Sequence, residues 1–242
     1  MSIGQREEAL AEYRAALAID EKLAAADPGN TKAQRNVAIS RNKIGDVLLA
    51  AGEPQGALTE YRTALAIGEK LPPTDPGNSE WQRDLTVSYS KIGDALRASA
   101  QLEEALTEYR KGLAIVQRLT AADPGNTEWQ RDLSIAHARI GDVLATVGQR
   151  EEALAEYRSG FAIDEKLAAA DPKNASWQID LVLSLWRLAE RGGDNPRAQY
   201  NRALTILRRL VTERILSSDQ QNWIATIEQR LAELPPEQAE AR

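Results

Sequence analysis

The chain has 242 residues, 43% of them hydrophobic but only 5% aromatic, with a single Phe, no cysteine and a formal net charge of −6. A core can form, and its composition favours helices that approach closely through small side chains. The acidic balance argues against nucleic acid and anionic membranes, which recruit basic surfaces, and the lack of cysteine excludes disulfides and thiolate chemistry.

Internal periodicity organises the rest. Glu-Tyr-Arg begins at Glu12, Glu60, Glu108 and Glu156, Asp-Pro at Asp27, Asp75, Asp123 and Asp171, and Ile-Gly-Asp at Ile44, Ile92 and Ile140. The interval is the same throughout, a period of about 48 residues. Residues 79–126 and 127–174 are identical at more than half of their positions. The expected division is an unpaired second helix of a truncated repeat (1–30), repeats over 31–78, 79–126 and 127–174, and a degenerate repeat over 175–217. A capping helix (218–234) and a disordered tail (235–242) complete it.

In chain order, the first element is a helix over 5–26. Gly4 falls at the phase of Gly52, so this is a second helix without its first. It is expected to fray or to pair with a neighbouring molecule. Each full period then reads as two helices. The first follows the turn Asp-Pro-Gly-Asn, with Thr31, Ser79 and Thr127 as N-caps and Gln34, Gln82 and Gln130 completing a capping box. It runs to about Gly52, Ser99 or Gly148. The second starts near Pro54, Leu102 or Arg150 and ends near the next Asp-Pro, except that Pro72-Pro73 should stop its helix early. Apolar residues step by three and four, as in Trp81, Leu85, Tyr89, Ile92 and Leu96, which is helical spacing. Small residues recur at fixed phases: Gly45, Gly93 and Gly141 in the first helix, Ala57, Ala105, Ala153 and Ala64, Gly112, Gly160 in the second. A mid-helix Gly costs about 1 kcal/mol relative to Ala, so its recurrence points to close packing. In the last period Ala189 stands at the Gly phase and residues 191–196 form a different, shorter turn. Ile224, Ile227, Leu231 and Leu234 give the final helix one apolar face.

These small residues resemble the tetratricopeptide repeat family. Gly141, Gly148, Ala153, Tyr157 and Gly160 follow that family's spacing, as do Gly45, Gly52, Ala57, Tyr61 and Ala64; Ala100 replaces the turn Gly in one repeat. The match covers roughly residues 4–175. The family period is about 34 residues, so each helix here is about two turns longer. In this the chain is similar to long-repeat bacterial members and to the kinesin light chain type. The resemblance implies an all-α fold, a right-handed superhelical solenoid of antiparallel helical hairpins.

It also implies that the first helices line a concave groove for a protein or peptide partner. One stripe beside the core stripe holds Arg35, Ile39, Asn42, Asp46 and Leu49. The next repeat gives Arg83, Val87, Ser90, Asp94 and Arg97, the third Arg131, Ile135, Ala138, Asp142 and Ala145, and the fourth Ile179, Leu183, Trp186 and Glu190. Stacked, they form an Arg ladder, an aliphatic row and an Asp ladder. Two readings stand for these ladders. They contact a partner, or they are a solvated scaffold in which Lys43, Lys91 and Arg139 pair with the Asp three positions on. Trp186 is an anchor candidate, whereas Trp81, Trp129 and Trp177 read as packing residues and Trp223 as part of the cap.

No catalytic apparatus is expected. His137, the single histidine, occupies the phase of Arg41, Tyr89 and Leu185 and reads as a packing residue without a second His or Cys to make a metal site. Glu103-Glu104 and Glu151-Glu152 begin second helices, where negative charge complements the dipole. No Gly-rich nucleotide loop follows a strand, so no cofactor is implied. With no run of ~18 apolar residues and no signal peptide at Met1-Ser2-Ile3-Gly4, a soluble cytoplasmic protein is expected. The leading function is a non-catalytic protein-interaction scaffold that holds a peptide, helix or small domain. The alternative is a self-assembling structural module stacking through residues 5–26.

Overall fold

The computed structural model describes residues 3–70 and 79–235. Among these the chain forms ten α-helices and no strand. They are α1 (Ile3–Ala26), α2 (Thr31–Ala50), α3 (Pro54–Lys70), α4 (Ser79–Ala98) and α5 (Leu102–Ala122), then α6 (Thr127–Thr146), α7 (Arg150–Ala170), α8 (Ala175–Glu190), α9 (Pro196–Thr212) and α10 (Ser218–Glu233). The expected stop at Pro72-Pro73 lies outside the described residues, as does the expected tail beyond Pro235.

The helices fall into two compact units, residues 1–129 and 130–242. In the first, α1 to α5 pack each on the next; the short connections 27–30, 51–53 and 99–101 make the neighbours they join antiparallel. In the second, α7 packs on α8, α8 on α9 and α9 on α10. Its core gathers Leu181, Val182, Leu185, Tyr200, Leu204, Leu207 and Ile227. The helix α10 buries Ile227 and leaves Gln221, Glu228 and Gln229 outward.

The small residues do two jobs. A Cβ on Gly45, Gly93 or Gly141 would lie 2.4, 2.4 or 2.6 Å from Cε1 of Tyr61, Tyr109 or Tyr157. Each glycine is thus a seat for an aromatic ring of the following helix, and all three rings are at most 2% exposed. The first helices end in a common turn. Glu53, Gln101, Gln149 and Gly193 donate their backbone N–H to the carbonyls of Leu48, Leu96, Leu144 and Leu188, which satisfies helix-end acceptors. This closure needs positive φ at the residue before. Gly52, Gly148 and Gly192 supply it without a Cβ, and Ala100 adopts it regardless, at φ 59°.

Two local expectations are corrected. The capping residue is Asn, one position before the expected Thr: the Asn30, Asn126 and Asn174 side chains accept from the backbone N–H of Ala33, Trp129 and Trp177. Gln34 donates to the Pro28 carbonyl and completes no box; a true capping box occurs at Ser217 and Gln220, heading α10. Asn30 and Asn174 hold the non-helical backbone that a cap requires, whereas Thr31 is already the first helical residue, so the turn's final Asn takes the role. The fourth hairpin also differs more simply than a new turn type. Its helices have 16 and 17 residues where α6 and α7 have 20 and 21, about one turn less each, while the closing turn at Gly192 is retained.

Candidate partner-binding site

The residues after the helix-seat glycines have a partner that the sequence stripe alone conceals. Asp46, Asp94 and Asp142 accept hydrogen bonds from the hydroxyls of Tyr61, Tyr109 and Tyr157, at 2.7, 2.6 and 2.8 Å. Gly-Asp and Tyr therefore act together: the glycine admits the ring and the aspartate holds its tip. Burial, and then the adjacent carboxylate, push the Tyr61 and Tyr157 phenols far above their ordinary range, so both stay donors. In the fourth hairpin Ala189-Glu190 replaces Gly-Asp, and the longer Glu190 accepts from Tyr200 at 3.0 Å.

The ladder charges link one hairpin to the next. Arg35 forks onto Asp84 and reaches Glu80 at 3.4 Å. Arg83 pairs with Glu128 at 2.8 Å, and Arg131 forks onto Asp180 at 2.5 and 3.2 Å. Such bidentate pairs are the stronger kind of ion pair, and that with Asp84 raises the Arg35 guanidinium pKa further. Asp46 also meets Lys91 at 2.5 Å, and Asp142 meets Arg187 at 3.3 Å. The expected pairing of Lys43 with Asp46 three positions on is thus replaced by a longer-range one; Lys43 lies 5.5 Å from the centre of the Tyr13 ring instead. The inter-hairpin partner wins because it is fixed on a neighbouring rigid helix beside the tyrosine.

Between α2 and α4 a cleft of about 190 Å³ opens, with Ala64 and Gly68 of α3 adding to its lining. It brings together five of the expected site residues: Arg35, Ile39, Asn42, Asp46 and Val87. Ile39 and Val87 are 36% and 37% exposed, large aliphatic groups open to solvent. The Asn42 amide oxygen is buried there without a hydrogen-bond partner among the described residues. Trp81, Leu85 and Asp84 also line the cleft and were missed by a stripe one residue wide. A signal was present in Gly68: its phase carries Val116 and Asp164 in later repeats, and a Cβ here would approach Leu85 to 3.0 Å.

The other expected residues are dispersed. Ser90, Asp94 and Arg97 of α4 lie outside the cleft lining. In the second unit Ile135 is half-buried. Trp186 packs edge-on to Trp223 of α10, ring centres 6.2 Å apart, and donates its indole N–H to Glu190. His137 contacts Glu156 at 2.6 Å, and Arg41, at the same phase, meets Glu60 at 2.9 Å, so the histidine repeats a pairing found two hairpins earlier.

Residues 36–111 match the tetratricopeptide repeat family. No curated protein sequence matches the chain. Among solved structures, BtubC (BKLC) from P. vanneervenii superposes with a TM-score of 0.69 at 15% identity, over 93% of this chain and 81% of that one. The apo form of RapI gives 0.55 at 16% identity, over 91% and 59%. The yeast histone chaperone Hif1, a scaffold protein recruiting protein complexes to core histones, gives 0.54 at 13% identity, over 81% and 94%.

Proposed function

Since the chain belongs to the tetratricopeptide repeat family, we propose that it is a non-catalytic, cytoplasmic protein-interaction scaffold. Its repeats span 31–78, 79–126, 127–174 and 175–217, with 218–234 as the cap. The partner lies as a helix, an extended peptide or the edge of a small domain across α2 and α4, and sets an apolar side chain between Ile39 and Val87. The observation that carries this reading is the cleft. At about 190 Å³ it is smaller than the roughly 300–1,000 Å³ pockets that enclose drug-sized ligands, and suits one anchoring side chain. That Hif1 is a scaffold protein accords with the reading. No described helix is long and apolar enough to cross a membrane.

The ladder arginines test this poorly, because reversing them also breaks the bonds between hairpins. Val87→Glu is cleaner, since the side chain is exposed. Against a partner isolated by affinity capture, calorimetry should show binding weakened at least about tenfold, or about 1.4 kcal/mol, with the melting temperature unchanged. Unaltered affinity removes the cleft from the binding site. A second reading, self-association through α1, is favoured by Ile19 and Leu23, which are 61% and 54% exposed.

A further inference from the structure

Ile19 and Leu23 are the most exposed large apolar side chains among the described residues, and with Ala16 they share one face of α1. The same phases in α5 hold Gly112, Ile115 and Leu119, all buried. A Cβ on Gly112 would touch the Thr86 carbonyl and the Tyr89 Cβ at 3.4 Å, so this is the face that α5 turns to α4. α1 thus carries a helix-docking face with no described helix upon it. Its other face packs on α2, where Tyr13 and Leu17 are half-buried and Asp20 accepts from Ser40.

We propose that this face pairs with the same face of a second copy, the two α1 helices running antiparallel about a two-fold axis near Ile19. The proposal rests on the self-association reading and is independent of the cleft. Charge selects the occupant and its direction. The face is acidic in its N-terminal half, at Glu8 and Glu12, and is flanked by Lys22 in its C-terminal half. With Ile19 of one copy against Ile19 of the other, Leu23 meets Ala15, and each Lys22 lies four residues, about 6 Å along the axis, from Glu12 of the other copy. Two long side chains span that distance. A parallel pair would set Glu12 beside Glu12 and Lys22 beside Lys22.

The last described helix decides where assembly stops. Stacking of α1 on α10 of another copy would generate an open filament. The exposed positions of α10 include Gln221, Thr226, Glu228, Gln229 and Arg230, with no exposed aliphatic side chain larger than Ala. It offers no apolar counterpart to Ile19 and Leu23. The isologous contact, which uses one patch twice and closes, is the one available.

Sedimentation velocity of the full chain across the micromolar range tests this. The mass is expected to rise from 26.6 kDa to twice that value and stop. Ile19→Glu with Leu23→Glu should remain monomeric at every concentration with an unchanged thermal melt, because both side chains are exposed. Lys22→Glu and Glu12→Lys should each weaken dimerisation about three- to tenfold, through two symmetric pairs, and the double exchange should restore it. A wild-type monomer throughout, a mass that climbs past the dimer, or a dimer that survives in the double Glu variant overturns the proposal. Val87→Glu should dimerise normally. Loss of the dimer in that variant would place the contact at the cleft and overturn the assignment to α1.

Discussion

Tyr109 lies against Gly93 and donates to Asp94, and this three-residue unit recurs with Tyr61 and Tyr157. Gly93→Ala would set a methyl 2.4 Å from the ring of a tyrosine that is 2% exposed. The ring has nowhere to move, so the variant should lose about 1–3 kcal/mol in urea unfolding despite the better helix propensity of Ala. Ala100 presents the opposite case. It holds φ at 59° where three other turns use Gly, and a left-handed L-residue costs roughly 1–2 kcal/mol. Ala100→Gly should therefore stabilise the protein, by about 1 kcal/mol after the greater chain entropy of Gly is offset. Asp164 is a third kind of residue, a carboxyl 3% exposed in α7. Burial raises its pKa, while hydrogen bonds from Ser134 and Ser184 pull the other way. The folded state then binds this proton more tightly than the unfolded state does. The group's contribution is most favourable in acid and is lost as pH rises through the folded value. Asp164→Asn, which cannot ionise, should gain stability relative to wild type as pH is raised from about 4, visible in melting temperatures across a pH series; a constant difference would contradict this.

At the scale of helices, the turn Asn and the following Thr separate two accounts of how the first helices begin. Asn126 accepts from the Glu128 and Trp129 backbone N–H groups, so Asn126→Ala should cost about 1 kcal/mol. Thr127→Ala should cost much less. Equal effects would restore Thr as the cap. The helices themselves were legible because duplication repeats every signal: a Gly at one phase is ambiguous, but three at a constant interval, beside three Tyr at another fixed phase, are not. The chemistry of the Asp row was less legible. Asp46 and Tyr61 sit 15 residues apart on different helices, so a stripe drawn along one helix shows an acid without its donor. Charge pairs suffer likewise. Local spacing offers Lys43 to Asp46, whereas the fold brings Lys91 from 45 residues away. The cleft was half visible, since Ile39 and Val87 lie on the stripe while Trp81 and Leu85 belong to the core stripe beside it and Gly68 to the helix behind.

For the whole molecule, stability in a repeat array is close to a sum of terms within hairpins and terms between them. Here the two are distinguishable by residue. Tyr and Gly-Asp lock the two helices of one hairpin, while Arg35, Lys91, Arg83, Arg131 and Arg187 reach acids of the adjoining hairpin. Surface pairs of this exposure contribute no more than about 1 kcal/mol each and weaken with salt. Raising ionic strength should therefore loosen hairpins from one another before it loosens them internally, which hydrogen exchange read helix by helix can register.

The ladder bonds between hairpins span 45 or 49 residues. That is one period minus three or plus one, so they are indifferent to which copy of the period supplies the partner. Excision of residues 79–126 in frame would present Arg35 with Glu128 and Asp132 at the phases of Glu80 and Asp84, and Asp46 with Arg139 at the phase of Lys91. Unequal crossing-over within such a gene deletes or adds one whole period without stranding a charge, and the shortened polypeptide should fold as a protein with one hairpin fewer. The arithmetic of these ion pairs makes length itself a heritable variable, adjustable one whole period at a time.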